Sequence, residues 1–553
     1  MSHTDTETEI LSRAPFNLGP ESIEWVRQTK ARLSPEEKVG QLFVFHSMGQ
    51  DPEALARLGA LKPAGITRSY TPDLDYEAGF IEAAQGQANV PLLVSADLEG
   101  SRMSLAVGTE VPNPIALAAV NDLQASRRIA RIMGTEARAV GINWSFTPVV
   151  DLNKAWRSAI VATRGFGADI DTVEAQALAQ IDEFQSLGVA ATVKHWPGEG
   201  YDDRDQHLVT TINPLSMEEW RATFGRLYGN AIKAGVMSVM SAHIALPAYG
   251  GAGVEAYRPA SVNRALNIDL LRGELGFNGV IVSDATPMAG FGAWASRDEM
   301  LPEVIENGCD IILFSTDAEA DVARIKVAVA EGRISERRLD EALTRVLGLK
   351  AWAGLHVAGP FKVDRAALGR AEAREAAMAV TQRAPHLVKD VRATLPLSPA
   401  RHRRVLVVSG GVVVPFVPHP LPFDLPEMLK AEGFEVTMFA PGMKVVPEDW
   451  DLMLYLFGEE TLLTRSHIFL DWLKLTGHFG EAMARRWHDI PTVMISFGWP
   501  YYLYDAPRVP CYVNAWATMP SMQRAVVECL MGRADWGTGT PVDPFCGLGD
   551  ARY

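Results

Sequence analysis

The chain has 553 residues, 48% of them hydrophobic and 22% charged, with a formal net charge of −15. That length exceeds what one hydrophobic core organises, so two or three domains are expected of an ordinary soluble globular protein. The acidic balance excludes a nucleic-acid binder with a basic face, and no apolar run approaches the ~18 residues of a membrane span.

In chain order, residues 1–33 read as a polar leader. It has neither a basic n-region nor an apolar h-region, so a cytoplasmic protein is expected. Ser34, followed by Pro35, Glu36 and Glu37, signals a helix N-terminus. Short apolar runs then recur: "LFVFHS", "AGITRS", "PLLVSAD", "INWSFTPVVD", "GVAATVKH", "VMSVMSAHI", "GVIVSDA" and "CDIILFS". Between them lie helix-like stretches such as "DLQASRRIARIMGTEARAV" and "DTVEAQALAQIDEFQSLG". The runs are apolar throughout, as parallel strands covered on both faces should be. Eight such units in residues 34–355 predict an α/β fold, a (β/α)8 TIM-like barrel. An open doubly wound sheet is disfavoured because no Gly-rich phosphate fingerprint follows the first strand. A connector is expected over 356–400. A second series, "RVLVVSG", "FEVTMFA", "WDLMLYLFG", "PTVMISFG" and "PCYVNAWA", predicts a smaller α/β sandwich domain over 401–553.

The four cysteines, Cys309, Cys511, Cys529 and Cys546, have no zinc-type spacing. Cys309, inside "GCDIILF", reads as a small core residue. In the second domain Trp499, Tyr501 and Tyr502 read as packing rather than as a sugar platform.

Polar residues gather at the C-terminal ends of the first-domain strands: Asp97, Glu99, Asp151, Arg164, Lys194, His195, His243 and Asp284. That rim carries catalysis in a barrel. Asp284 ends an apolar strand. Its burial demands a partner, for which Lys194 and Arg164 are the candidates. It is either a strand-end ion-pair partner or an oriented carboxylate able to attack an anomeric carbon. Asp205 and His207 lie two apart in "KHWPGEGYDDRDQH", where an extended loop turns both to one side. They are either a solvated loop pair or a carboxylate that orients an imidazole for proton transfer. Gly198 and Gly200 permit the turn that brings this loop over the mouth.

"KHWPGEGYDDRDQH" resembles the KH(F/I)PG(H/N)GxxxxD(S/T)H signature of glycoside hydrolase family 3 β-N-acetylglucosaminidases, the NagZ-type branch. "RGELGFNGVIVSDATPM" resembles that family's nucleophile segment, and "DLEGSRM" its DQEGGRV stretch. "GINWSFTPVVDLN", "TRGFG" and "MSAHIALPA" fall in the family's order, and "SFGWPYYLYDAP" is similar to the second domain of two-domain members. The resemblance implies that Asp284 is the nucleophile and that His207 with Asp205 is the acid/base dyad. It implies that Asp97, Arg164, Lys194 and His195 hold sugar hydroxyls, with Arg102 a further contact. It implies a retaining exo-acting β-glycosidase, a β-N-acetylhexosaminidase, needing neither metal nor organic cofactor. Glu199 departs from the signature's His or Asn, Gln206 from its Ser or Thr, and Ala285 from a second aspartate. These changes leave a β-glucosidase specificity open. They leave phosphate open as acceptor too, because a neutral imidazole does not repel it. A Schiff-base aldolase built on Lys194 and a sugar-binding protein without turnover are the other readings the residues permit.

Overall fold

The computed structural model describes residues 3–47, 52–415 and 417–553. Its first sheet has eight strands: β1 (Phe43–Ser47), β2 (Gly65–Arg68), β3 (Leu93–Ala96), β4 (Trp144–Ser145), β5 (Thr192–Trp196), β6 (Ser238–Ser241), β7 (Val280–Ala285) and β8 (Ile311–Leu313). They pair in parallel in the order β4-β3-β2-β1-β8-β7-β6-β5. The outer strands meet: Ser145 N donates to Ala190 O and Thr192 N to Thr147 O, both at 2.8 Å, which closes the sheet into a barrel. Strands β2, β3 and β6 are buried along their whole length, which is why they read as unbroken apolar runs. β4 is shorter than the apolar run "INWSFTPVVD" suggests, because Pro148 has no N–H for a ladder.

Ser34 caps the helix Pro35–Gly40 in a capping box with Glu37. Residues 1–33 do more than lead into it. They form α1 (His3–Ser12) and α2 (Pro20–Arg32), whose region buries Leu11, Phe16 and Val26 against the barrel-filling residues Val44, Leu93, Trp144, Met240 and Val282. The helical stretches between strands appear as α3 (Leu123–Ala139) and α4 (Ile170–Ser186), N-capped by Asp122 and Asp169. α5 (Glu336–Trp352) follows the last barrel strand and adds Val346 and Leu347 to the same core.

The segment 356–400, expected as a connector, carries α6 (Ala371–Thr381) and β9 (His386–Asp390). β9 joins a second sheet with β10 (Arg404–Val412), β11 (Glu435–Met438), β12 (Leu452–Gly458), β13 (Thr492–Ser496) and β14 (Cys511–Asn514), in the order β9-β14-β13-β12-β10-β11. Only the β9–β14 pairing is antiparallel among these described strands. Trp499, Tyr501 and Tyr502 are buried and packed on one another in this domain's core. Cys309 is fully buried, and burial pushes its thiol up to about 12.

The two domains share apolar and polar contacts. Ile115, Ala116 and Ala119 of the first belong to the second domain's core cluster. Glu460, just beyond β12, accepts from Ser101 Oγ at 2.8 Å, Asn113 Nδ2 at 3.1 Å, and Thr518 N at 2.8 Å. No helix among the described residues is long and apolar enough to cross a membrane.

Candidate active site

The polar residues expected at the rim do converge on the C-terminal mouth of the barrel. β3 delivers Asp97 and Glu99, the loop after β4 delivers Asp151 and Arg164, and β5 ends in Lys194 and His195. The loop after β5 carries Glu199, Asp205 and His207, with His243 beyond β6 and Asp284 near the end of β7. Gly200 lets the β5 loop fold down at φ +111°, where a Cβ would run into the Leu152 carbonyl.

The cations at the mouth are organised by a residue expected at the rim but given no role there. Glu99 accepts from Arg164 Nε at 2.8 Å and Nη2 at 2.9 Å, and pairs with Lys194 Nζ at 2.8 Å. Lys194 also donates to Asp97 Oδ1 at 2.6 Å. Burial alone would raise the Glu99 carboxyl, yet Arg164 and Lys194 hold it well below the usual carboxylate range. Burial would lower Lys194 as well, but Asp97 and Glu99 outweigh it and raise the ammonium above its ordinary value. Glu99, Lys194 and Arg164 therefore form an ionised cluster. Asp97 is a third exposed, so the cluster opens to the mouth there.

The expectation that Asp284 pairs with Lys194 and Arg164 is corrected: both cations are taken by Glu99 and Asp97. Asp284 is 8% exposed. Its Oδ1 accepts from Ala285 N at 2.7 Å, and its buried Oδ2 has no hydrogen-bond partner in the protein. Burial raises its carboxyl, but the facing His195, His243 and His207 outweigh that and hold it below the usual value. The result is an ionised carboxylate with one unoccupied oxygen.

Asp205 and His207 meet as the two-residue spacing suggests. Asp205 Oδ1 accepts from His207 Nδ1 at 2.7 Å and from His207 N at 2.8 Å. A carboxylate only accepts, so Nδ1 carries hydrogen and Nε2 is left for proton transfer. Asp205 Oδ2 accepts from the backbone N–H of Thr464 at 3.0 Å. Thr464 comes from the second domain, and a main-chain donor leaves no side-chain signature to find. The turn that carries Thr464 is anchored by Leu462 N donating to Ala159 O at 3.1 Å.

His195 Nδ1 bonds Asp151 Oδ2 at 2.6 Å, and its Nε2 lies 3.5 Å from Arg164 Nη2. His243 bonds Ser261 Oγ at 2.9 Å and donates to Ala285 O at 3.0 Å, so it shapes the backbone beside Asp284. Asp151, His195 and Glu199 place one ligand-type atom each within 4.8 Å of one another, a spacing a divalent cation can use. Asp151 Oδ2 and His195 Nδ1 already hold each other, and Asp151 Oδ1 accepts from His195 N at 3.1 Å and Glu199 N at 2.9 Å. These atoms serve a hydrogen-bond network. Arg102 Nε donates to Thr518 Oγ1 at 2.6 Å, making it a link between the domains.

Residues 35–349 match the family described as "Glycosyl hydrolase family 3 N terminal domain". A "Beta-N-acetylglucosaminidase/beta-glucosidase" of Cellulomonas fimi is 38% identical over 572 residues, covering 98% of this chain and 99% of its own length. Among solved structures, "Beta-glucoside phosphorylase BglX" superposes with a TM-score of 0.91 at 31% identity, over 99% of this chain and 100% of that one. A family 3 β-N-acetylglucosaminidase from Paenibacillus sp. str. FPU-7 gives a TM-score of 0.79 at 26% identity, over 93% and 100%. With a two-domain barrel architecture, a ring of charged groups at the barrel mouth and a relative matched end to end, the chain belongs to glycosyl hydrolase family 3.

Proposed function

We propose that this protein is a retaining, exo-acting β-glycosidase of the β-N-acetylhexosaminidase type. The observation that carries the reading is Asp284, ionised and with Oδ2 free, facing an imidazole that Asp205 holds by Nδ1. Asp97, Arg164, Lys194 and His195 hold hydroxyls of the nonreducing-end sugar. Asp284 Oδ2 attacks the anomeric carbon as the protonated His207 Nε2 gives its hydrogen to the departing oxygen, leaving a glycosyl ester and a neutral ring. His207 then takes a proton from water as that water's oxygen displaces Asp284 from the anomeric carbon. The sugar leaves with its starting configuration, and carboxylate and imidazolium are restored.

The test is chemical trapping. A 2-deoxy-2-fluoro glycosyl fluoride should label the peptide that contains Asp284, and Asp284→Ala should stay folded but lose activity by several orders of magnitude. A label on another peptide moves the nucleophile. The Schiff-base alternative is checked by borohydride trapping on Lys194, which the two carboxylates at 2.6 and 2.8 Å oppose by keeping the amine protonated.

A second reading, phosphorolysis, is supported by the 31% identity to a β-glucoside phosphorylase. An imidazole that has given up its proton carries no charge to repel a phosphate dianion. Products formed with and without phosphate at about 1–10 mM, a range that spans usual KM values and above, separate the two. Free sugar supports hydrolysis; dominant sugar 1-phosphate replaces it.

A further inference from the structure

Among the described residues nine that are not glycine have a left-handed backbone, and three of the nine gather at the seam between the domains. They are Ser101 at φ +49°, Thr464 at φ +62° and Trp516 at φ +68°. A Cβ disfavours this conformation, and in a β-branched or bulky residue it persists only where the surroundings impose it. Thr464 is β-branched, and it is the residue whose N–H reaches Asp205 Oδ2 at 3.0 Å. The turn that makes this bond is therefore held against its own preference.

Glu460 stands where the three residues meet. It is 7% exposed, and its two oxygens take four donors from three segments. Oε1 accepts from Ser101 Oγ at 2.8 Å, Thr518 N at 2.8 Å and Thr518 Oγ1 at 2.6 Å. Oε2 accepts from Asn113 Nδ2 at 3.1 Å, and the same amide group donates to Trp516 O at 2.9 Å. Ser101 and Trp516 are thus tied to Glu460 directly or through one amide. Thr464 is tied to it through the chain, because Glu460 begins the turn. The other anchors on the way, Thr461 Oγ1 at 3.2 Å from Thr163 Oγ1 and Leu462 N to Ala159 O at 3.1 Å, are neutral bonds. Those to the Glu460 carboxylate are charge-assisted, roughly twice as strong.

On the glycosidase reading, on which this inference rests, Asp205 orients the acid His207. We propose that Glu460 is a positioning residue for that acid, holding the 460–464 turn in the strained shape that presents the Thr464 N–H to Asp205. With Oδ2 fixed by Thr464 N, Asp205 keeps Oδ1 turned to both His207 donors, and the ring stays aimed. Released from Glu460, Thr464 relaxes toward negative φ and its N–H turns away. Asp205 then rotates more freely. The loss falls on proton transfer, since Glu460 bonds none of Asp97, Arg164, Lys194 and His195.

The test compares kcat/KM for a methyl glycoside with that for a dinitrophenyl glycoside of the same sugar, using the full chain and its variants. Glu460→Ala should slow the methyl substrate roughly three- to tenfold more than the dinitrophenyl one, as the loss of one net hydrogen bond would. Glu460→Gln keeps a carbonyl for the Oε1 donors, so it should show a smaller selective loss; it serves if Glu460→Ala does not fold. Glycine takes positive φ without a steric cost. Adding Thr464→Gly to Glu460→Ala should therefore bring the ratio back to within about twofold of wild type. Because the readout is a ratio between substrates, a general loss of folded protein cancels. Equal losses on both substrates, or a selective loss that Thr464→Gly leaves unrepaired, would overturn the proposal. His207→Ala, measured alongside, separates the two failures. No selective loss in that variant refutes the acid assignment and this inference with it; a selective loss there with none in the Glu460 variants refutes this inference alone.

Discussion

Asp205→Asn probes the dyad at the point where geometry constrains it most. The two carboxylate oxygens receive three donors: His207 Nδ1 at 2.7 Å, His207 N at 2.8 Å and Thr464 N at 3.0 Å. An amide in that place has one acceptor oxygen and one NH2 group, so either way round a donor meets a donor. With the amide oxygen turned to the two His207 donors the clash falls on Thr464 N, and the ring bond loses its charge, at most the about 1.5–3 kcal/mol that a charge-assisted bond contributes. At about 1.4 kcal/mol per factor of ten, that loss slows proton transfer by at most about 10- to 150-fold. The loss should fall only on substrates whose leaving group needs a proton. The assay compares kcat/KM for a methyl or disaccharide glycoside with that for a dinitrophenyl glycoside of the same sugar. Asp205→Asn should slow the first by the stated factor and barely touch glycosylation by the second. His207→Ala should slow the first by about 10²–10⁴-fold. Equal losses on both substrates, in both variants, would refute the assignment and leave His207 as a sugar-binding group.

Glu99→Gln leaves the buried Lys194 and Arg164 with Asp97 as the remaining carboxylate of their cluster, and should cost about 3–5 kcal/mol of stability. A calorimetric Tm unchanged from wild type contradicts that. For Asp284, burial raises the carboxyl but three histidines outweigh it and hold it below its ordinary value, so it stays ionised as pH falls through the usual carboxylate range. The rate of labelling by a 2-fluoro glycosyl fluoride, whose leaving group needs little acid help, should therefore stay level across that range; an inflection above it counts against the reasoning. Burial holds Lys350, bonded to Gln41 Oε1 at 2.6 Å, well below the ordinary lysine value. The unfolded chain thus binds a proton there that the folded one does not, so wild-type stability from this group rises with pH until the unfolded lysine titrates near about 10.4. Lys350→Met lacks that slope, so its stability relative to wild type should decline from neutral pH upward in denaturant titrations; a constant difference rules the linkage out.

The barrel could be read from its sequence because parallel strands buried on both faces leave unbroken apolar runs, and because Asp97, Lys194 and Asp284 each end such a run. β9 escaped because His386–Asp390 is a short, partly exposed edge strand with only two apolar residues, set in a stretch rich in turn residues. The packing of α1 and α2 escaped because their buried residues are sparse among charged ones. Local spacing sufficed for Asp205 and His207, which meet within one loop. It could not say which carboxylate meets which cation across the barrel, since Glu99, Asp97 and Asp284 all end up within one mouth and the pairing depends on distances between different strands. Glu99 takes Arg164 with both its oxygens, which settles the matter only in three dimensions.

The hydrogen bond from Thr464 has a consequence for how this protein can be cut or recombined. A barrel excised near residue 355 would retain all the side chains assigned to the chemistry, yet Asp205 would keep only two of its three donors. Its freed Oδ2 would take water, and the ring that depends on Asp205 would sample more orientations. Joining this barrel to a foreign second domain would do the same unless the incoming loop presented an N–H at that spot. Reaction rate here is thus a property of the seam, and shuffling domains amounts to retuning the acid.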